Sequence, residues 1–195
     1  MWRENLNRLI RKEGTHPAWG LAHCSRVYKL AWQLGTGHDL DDDVLWAAAM
    51  IHDLGAYPAL RQNGVDHAAR SAQVAGELLP ALGFPSAKLA QVLSVIRGHM
   101  FYTPPADSPE ARFFHDADVL EFMGAIGVAR ILSIVGLDDW TPDLPSAIKL
   151  LRKFSEELPA SLVTAEGKAL GEQRREEMAR FLDELEQETY RFKLI

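Results

Sequence analysis

The stretch "LWAAAMIHDLGAYPAL", residues 45–60, decides how this chain is read. An uncharged apolar run from Val44 to Ile51 ends in His52-Asp53, and Gly55 follows. A segment this apolar packs inside. A carboxylate at its end therefore needs a partner or a route to water, because an unpaired buried charge is costly. The dipeptide alone says little, since the chain repeats it at His38-Asp39 in "TGHDLDDD" and at His115-Asp116 in "FFHDADVL". His38-Asp39 sits in a glycine-rich stretch of solvated charge and reads as a surface turn.

The pattern on either side is helical almost throughout. "DDDVLWAAAMIHDLG" opens with acids suited to a helix N-terminus and reaches Gly55, a candidate C-terminal cap. Before it, "ENLNRLIRKEG" places Leu6, Leu9 and Ile10 on one face and stops at Gly14. A second helix is expected from Pro17 to Gly35, with Trp19, His23, Val27, Leu30 and Leu34 as its inner stripe. After the central segment, "AYPALRQNGV" is a linker carrying Pro58 and the Asn63-Gly64 turn signal. Helices are expected over about 66–82 and 85–99, followed by the loop "FYTPPADSP". A long helix over about 110–135 comes next, then two closing helices over roughly 142–158 and 164–190. No alternating strand pattern and no internal repeat is visible. The reading is all-α: one domain over 1–195, with a core over about 16–135 and helices over about 142–190 packed on it.

At 195 residues the chain is long enough for one sizeable core. Its single cysteine, Cys24, excludes an internal disulfide and suggests a reducing compartment. "MWRENLNRLIRKEG" lacks the apolar centre of a secretion signal. "FMGAIGVARILSIVG" falls short of the roughly 20 residues a membrane span needs, and Arg130 interrupts it. A cytoplasmic protein with no membrane partner is expected. The net charge of −6 argues against a broad polyanion-binding face, so duplex nucleic acid is not an expected partner. A small phosphorylated ligand needs only a few arginines in one pocket.

Several helices place one ionisable group on an apolar stripe. His23 sits with Val27 and Leu30, Asp118 with Phe114, Phe122 and Ala125, and His99 with Leu93 and Ile96. One such residue is usually a hydrogen-bonded core side chain. Three of them beside His52-Asp53, all imidazole or carboxylate, look like ligands converging on a metal. On one helix His52 and Asp53 diverge by about 100°, so they share an ion only if it sits over the edge between them.

These phrases carry a resemblance. From about His16 to Ala129 the chain resembles the HD-domain superfamily of metal-dependent phosphohydrolases, in particular its small stand-alone bacterial members. That motif is a His, then His-Asp, then a distant Asp, and here it matches His23 in "LAHCSRV", His52-Asp53, and Asp118 in "HDADVLEFMGAIGVAR". "HAARSAQVAGELLPALGF", "VLSVIRGHMF" and the tail "LLRKFSEELPASLVTAEGKALGEQRREEMARFLDEL" also resemble that subgroup, the tail as its helical extension. The resemblance implies an HD-domain helical core in which His23, His52, Asp53 and Asp118 hold a divalent metal. Mn, Fe, Co, Ni and Mg all suit such N and O donors. It puts Asp118 rather than Asp116 in the ligand place, with His115-Asp116 a decoy or a support for Asp118.

It also implies hydrolysis of a small phosphorylated metabolite, with nucleotides foremost, by metal-activated water, and Asp53, His67 and His99 in catalytic roles. No nucleophile elbow or phosphate loop competes with that reading. "LGAYPALRQNGV" has no Asp or Glu to assist proton transfer, which makes His67 the candidate general acid. His67 and His99 either complete a second metal site or face the substrate phosphate. Arg70, one turn beyond His67, would weaken a second dication and help a phosphate, so one ion is favoured over two. Arg61 and Lys29, with Arg97 behind them, are further candidates for phosphate contact. Two other readings stand beside this one: a di-iron oxygenase of the same fold, and a helical module whose metal is structural.

Overall fold

A computed structural model describes residues 1–193. Within them the chain is all-helical, as its periodicity requires: α1 (Trp2–Glu13), α2 (Leu21–Leu34), α3 (Asp42–Ile51), α4 (His67–Ala81), α5 (Ser86–Arg97), α6 (Pro109–Leu120), α7 (Gly124–Leu132), α8 (Leu144–Glu157) and α9 (Ala165–Glu188). Single 3-10 turns lie at Leu54–Ala56 and Leu158–Ser161. The packing divides into two compact units, Met1–Asp118 and Val119–Ile195.

In the first unit α3 is central, packing on α1, α2 and α5, while α4 lies on α5. Asp41 starts α3 by accepting from the backbone N–H of Asp43 (2.9 Å) and Val44 (3.2 Å). Val44 to Ile51 is then buried apart from Trp46, which meets Trp2 edge to face. Arg3 pairs with Asp42 (2.7 Å) and Asp43 (2.5 Å) and so holds α1 to the start of α3. Asp66 caps α4 in the same manner, accepting from Ala68 and Ala69.

Two expected helix boundaries change here. The second helix begins at Leu21 rather than Pro17, because residues 17–20 form a turn. His16 Nδ1 accepts from the backbone N–H of Ala18 (3.2 Å) and Trp19 (3.4 Å), and Gly14 O accepts from Leu21 N. Gly55 is not a helix cap. α3 ends at Ile51, and Gly55 sits within the following 3-10 turn where α4 crosses it. Its N–H donates to Ser71 Oγ (2.8 Å). A Cβ there would stand 2.3 Å from His67 O and 2.7 Å from Ser71 N.

In the second unit α7 and α8 pack on α9. The long helix expected over 110–135 is broken at residues 121–123, between α6 and α7. Gly124 takes a φ of +67°, which ordinary side chains avoid. Arginines donate to carbonyls at the break: Arg174 Nη1 to Leu120 O (2.5 Å), which also accepts from Met123 N (3.0 Å), and Arg130 Nη1 to Glu121 O (2.9 Å). This explains a charged residue in the most apolar segment. Among the described residues, no helix is long and apolar enough to cross a membrane.

The close approach at Gly55 is a sharp test of how α4 is seated. Gly55→Ala must push two backbone atoms away, and we expect a loss of about 2–4 kcal/mol in urea unfolding, near the upper end for overpacking. A loss under about 0.5 kcal/mol would show that α4 is not held against this turn.

Candidate metal centre

Five helices deliver six side chains to one place, each at or near a helix end. His23 lies in the first turn of α2, His52 directly after α3, His67 at the first position of α4, His99 two residues beyond α5 and Asp118 in the last turn of α6. Asp53 follows His52 outside the helix, with φ −102° and ψ 2°. His52 keeps helical dihedrals and its N–H on Ala48 O, and the backbone departs from the helix at Asp53. Both side chains turn toward the same point, with His52 Nε2 3.2 Å from Asp53 Oδ2.

The contacts form two groups that share Asp53. In the first, His23 Nε2 and His52 Nε2 are 3.0 Å apart, with Asp118 Oδ1 at 3.2 Å and 3.7 Å from them. Asp53 Oδ2 stands 3.4 Å from His23 Nε2. In the second group, His67 Nε2 and His99 Nε2 are 3.2 Å apart, and Asp53 Oδ1 lies 3.7 Å from each. His23, His52, His99 and Asp118 are buried, and His67 is the imidazole that reaches solvent, with 24 % of its side chain exposed.

The hydrogen bonds behind these imidazoles decide what they present. His52 Nδ1 donates to Ala49 O (2.9 Å) and His99 Nδ1 to Ile96 O (2.7 Å). A carbonyl only accepts, so each ring carries its proton on Nδ1 and, when neutral, a bare lone pair on Nε2. Those lone pairs face other imidazole nitrogens. Two such atoms at 3.0–3.2 Å repel unless a proton or a cation lies between them. An Nδ1–H bonded to a backbone carbonyl is the usual support behind a metal-ligating histidine. The donors fit a divalent ion. His23, His52 and Asp118 form one group whose ligand atoms are close enough to hold it, and Asp53, His67 and His99 form another.

The carboxylates are ionised in this setting. Burial alone would raise Asp118, but the hydrogen bond from His23 and the nearby His52 outweigh it and hold the acid at about 2. Asp53 is likewise opposed by burial, and His52 with the hydrogen bonds from its neighbours holds it well below the usual carboxylate range. Burial pushes the His67 imidazole down, against the pull of Asp53. His99 moves up: Asp53 and Asp118 overcome its burial.

The other sequence candidates lie elsewhere. His38 and Asp39 are exposed, the His38 ring 4.8 Å from that of Phe113. His115 is buried and its Nδ1 donates to Gly98 O (2.8 Å), so it braces the residue before His99, where a support for Asp118 was one expectation. Arg70 turns to the linker: Nε donates to Leu60 O (2.8 Å) and Nη1 to Gln73 Oε1 (3.2 Å). Arg61, Lys29 and Arg97 are exposed, and Lys29 lies on the face of α2 away from its buried stripe. The sequence reading passed over Ser71, which receives Gly55, and Tyr102, whose hydroxyl donates to Asp66 Oδ2 (2.7 Å). A serine in an alanine-rich helix face was the signal for the first. Nothing in the sequence marked the second.

The HD domain family profile matches residues 20–123, more than half of the chain. Solved structures with the same fold include a predicted HD superfamily hydrolase from an uncultured Thermotogales bacterium, at 25 % identity and TM-score 0.65, covering 95 % of this chain and 91 % of that one. Bacillus subtilis YpgQ aligns at 24 % identity and TM-score 0.72, covering 96 % and 95 %. Its complex with ADP aligns at 23 % identity and TM-score 0.66, covering 94 % and 97 %. A comparison with curated proteins gives no match. With its HD profile match running from Gly20 through the His-Asp pair to Met123, the chain belongs to the HD domain family.

Proposed function

We propose that this protein is a metal-dependent phosphohydrolase acting on a small phosphorylated metabolite, with nucleotides the favoured class. The observation that carries the reading is the buried convergence of His23, His52, Asp53 and Asp118, with two imidazole nitrogens 3.0 Å apart between two ionised carboxylates. The HD superfamily hydrolase fold supports such chemistry in general. The ADP complex of Bacillus subtilis YpgQ supports the choice of nucleotides. The acidic balance of the chain supports a small substrate over a long polyanion.

A divalent ion, when bound, supplies a Lewis acid that lowers the pKa of water and offsets charge on phosphate oxygens. The chain supplies the rest. His23, His52, Asp53 and Asp118 are the residues proposed to hold the ion, their orientation set by the helix ends that carry them. Asp53 turns its other oxygen to His67 and His99, which lie on the more open side.

Arg70 was the reason to favour a single ion, and its guanidinium is occupied by Leu60 and Gln73. Those bonds aim it at the linker and at its own helix, and the grouping of Asp53, His67 and His99 supports a second ion. Burial, which disfavours the protonated His67 imidazole, also suits a metal ligand, which binds through a neutral ring. Arg70 and Arg61 keep a role with substrate phosphate only if the linker over residues 56–65 rearranges on binding.

The deciding experiment measures metal content in protein purified without chelator, then hydrolysis of nucleoside and sugar phosphates with Mn, Co, Ni and Mg. We expect turnover that depends on the metal and favours nucleotides, with duplex DNA left intact. Tightly held metal with no turnover would point instead to a structural ion. Coloured, oxygen-sensitive iron would point to an oxygenase.

Asp53→Asn should lose metal and turnover by more than the roughly 10–100-fold cost of losing a partner behind a ligand. His38→Ala and Asp39→Asn should stay within about twofold of wild type, as expected for exposed residues far from any such feature. Full activity in Asp53→Asn would overturn the assignment. For stoichiometry, we expect two ions per chain in wild type and one in His67→Ala or His99→Ala. One ion in all three proteins would return His67 and His99 to the substrate side.

A further inference from the structure

The Tyr102 hydroxyl makes a bond that its setting on the surface does not require. The residue is 53 % exposed, in the loop that follows α5, and water is available to its hydroxyl. It donates instead to Asp66 Oδ2 at 2.7 Å. Asp66 already spends Oδ1 on the first turn of α4, accepting from Ala68 N (3.0 Å) and Ala69 N (3.1 Å). Both oxygens of one carboxylate are thus engaged, one by the helix and one by the loop.

The two segments joined in this way each carry one imidazole of the second donor group. His67 is the residue after Asp66 and opens α4. His99 lies three residues before Tyr102, its Nδ1 bonded to Ile96 O and the preceding residue held by His115. The Nε2 atoms of His67 and His99 stand 3.2 Å apart. The Tyr102–Asp66 bond therefore closes a short ring that runs from His67 through Asp66 and Tyr102 to His99. His99 is buried and braced on two sides, whereas His67 is partly exposed and sits where a helix end frays most readily. Asp66 Oδ2 lies 3.8 Å from His67 Nδ1, too far for a hydrogen bond, so it acts by fixing the turn and the local charge.

We infer that Tyr102 is a positioning residue: through Asp66 it fixes the His67 imidazole against His99 and so sets the geometry of the second donor group. Ligand geometry tolerates displacements of only about half an ångström, so a weak surface bond suffices to matter. The inference builds on the metal-dependent reading proposed above, and it predicts an effect on His67 that global stability does not report.

The test compares Tyr102→Phe, Asp66→Ser and the double variant with wild type. Asp66→Ser keeps a residue able to cap α4 and removes the oxygen that receives Tyr102. In metal-free protein, the His67 ring resonances in long-range nitrogen–proton NMR spectra should shift or broaden in Tyr102→Phe, while those of His23 stay in place. Thermal unfolding should move by no more than about 2 °C. In cobalt titrations followed by visible absorption, the binding component that His67→Ala removes should weaken about tenfold, as for other supports behind a ligand. The double variant should weaken it no further than either single one.

An unchanged His67 resonance, or unchanged cobalt binding in the component His67→Ala removes, overturns the inference. If His67→Ala removes no component, the two-ion reading fails and the resonance alone decides the role of Tyr102. If wild type hydrolyses no phosphoester while the resonance still responds, the positioning role stands and the proposed function falls.

Discussion

His23 and His52 point ring nitrogens at each other across 3.0 Å, inside a buried cluster that also holds two ionised carboxylates. The helices α2 to α6 each bring a side chain to that cluster. Buried charges are tolerated only when partners satisfy them, and removing one partner strands the rest. The imidazoles and carboxylates here compensate one another, yet the tautomers set by Ala49 O and Ile96 O leave lone pairs aimed inward. Such a cluster is organised to receive a cation. Its cost is carried by the apolar packing of α3, which is buried from Val44 to Ile51 apart from Trp46.

Convergence depends on where helices stop. His52 and Asp53 follow one another at the end of α3, and their side chains meet over the edge between them, Nε2 to Oδ2 at 3.2 Å. The 3-10 turn that follows is thin enough at Gly55 for α4 to cross it. Asp66 then begins α4 so that His67 is its first residue. The N–H of Gly55 on Ser71 Oγ ties the turn that follows Asp53 to the helix that carries His67.

The second unit shows the same use of interruption. An apolar run long enough for one helix is divided at residues 121–123, and the buried Arg130 and the partly buried Arg174 donate to carbonyls at the break. Arg130 stacks its guanidinium 4.6 Å from the centre of the Phe122 ring while donating to Glu121 O. A charge inside an apolar segment had suggested only that the segment does not span a membrane. Its position shows that it also serves the backbone.

Much of this was legible in the chain itself. The helical class followed from apolar spacing, and Asp41 and Asp66 lie at helix starts because short acids accept from N–H groups that a helix leaves open, while Gly14 ends α1 with its N–H on Ile10 O. His23, His52, His99 and Asp118 stood out because each is an ionisable group on an apolar stripe, and burial demands an explanation for such a group. The HD phrases around His23, His52-Asp53 and Asp118 pointed to the family before any coordinate did. What the sequence could not determine is direction and distance between elements. Periodicity gives the face of a helix and says nothing of the partner across from it. It therefore missed the break before Gly124, since apolar spacing runs on through Phe122 and Met123. It gave no sign that the Arg70 guanidinium donates to Leu60 O. It had no means of finding Tyr102, joined to Asp66 across 36 residues of chain. Local chemistry selects the residues, and only the crossing of helices decides which of them meet.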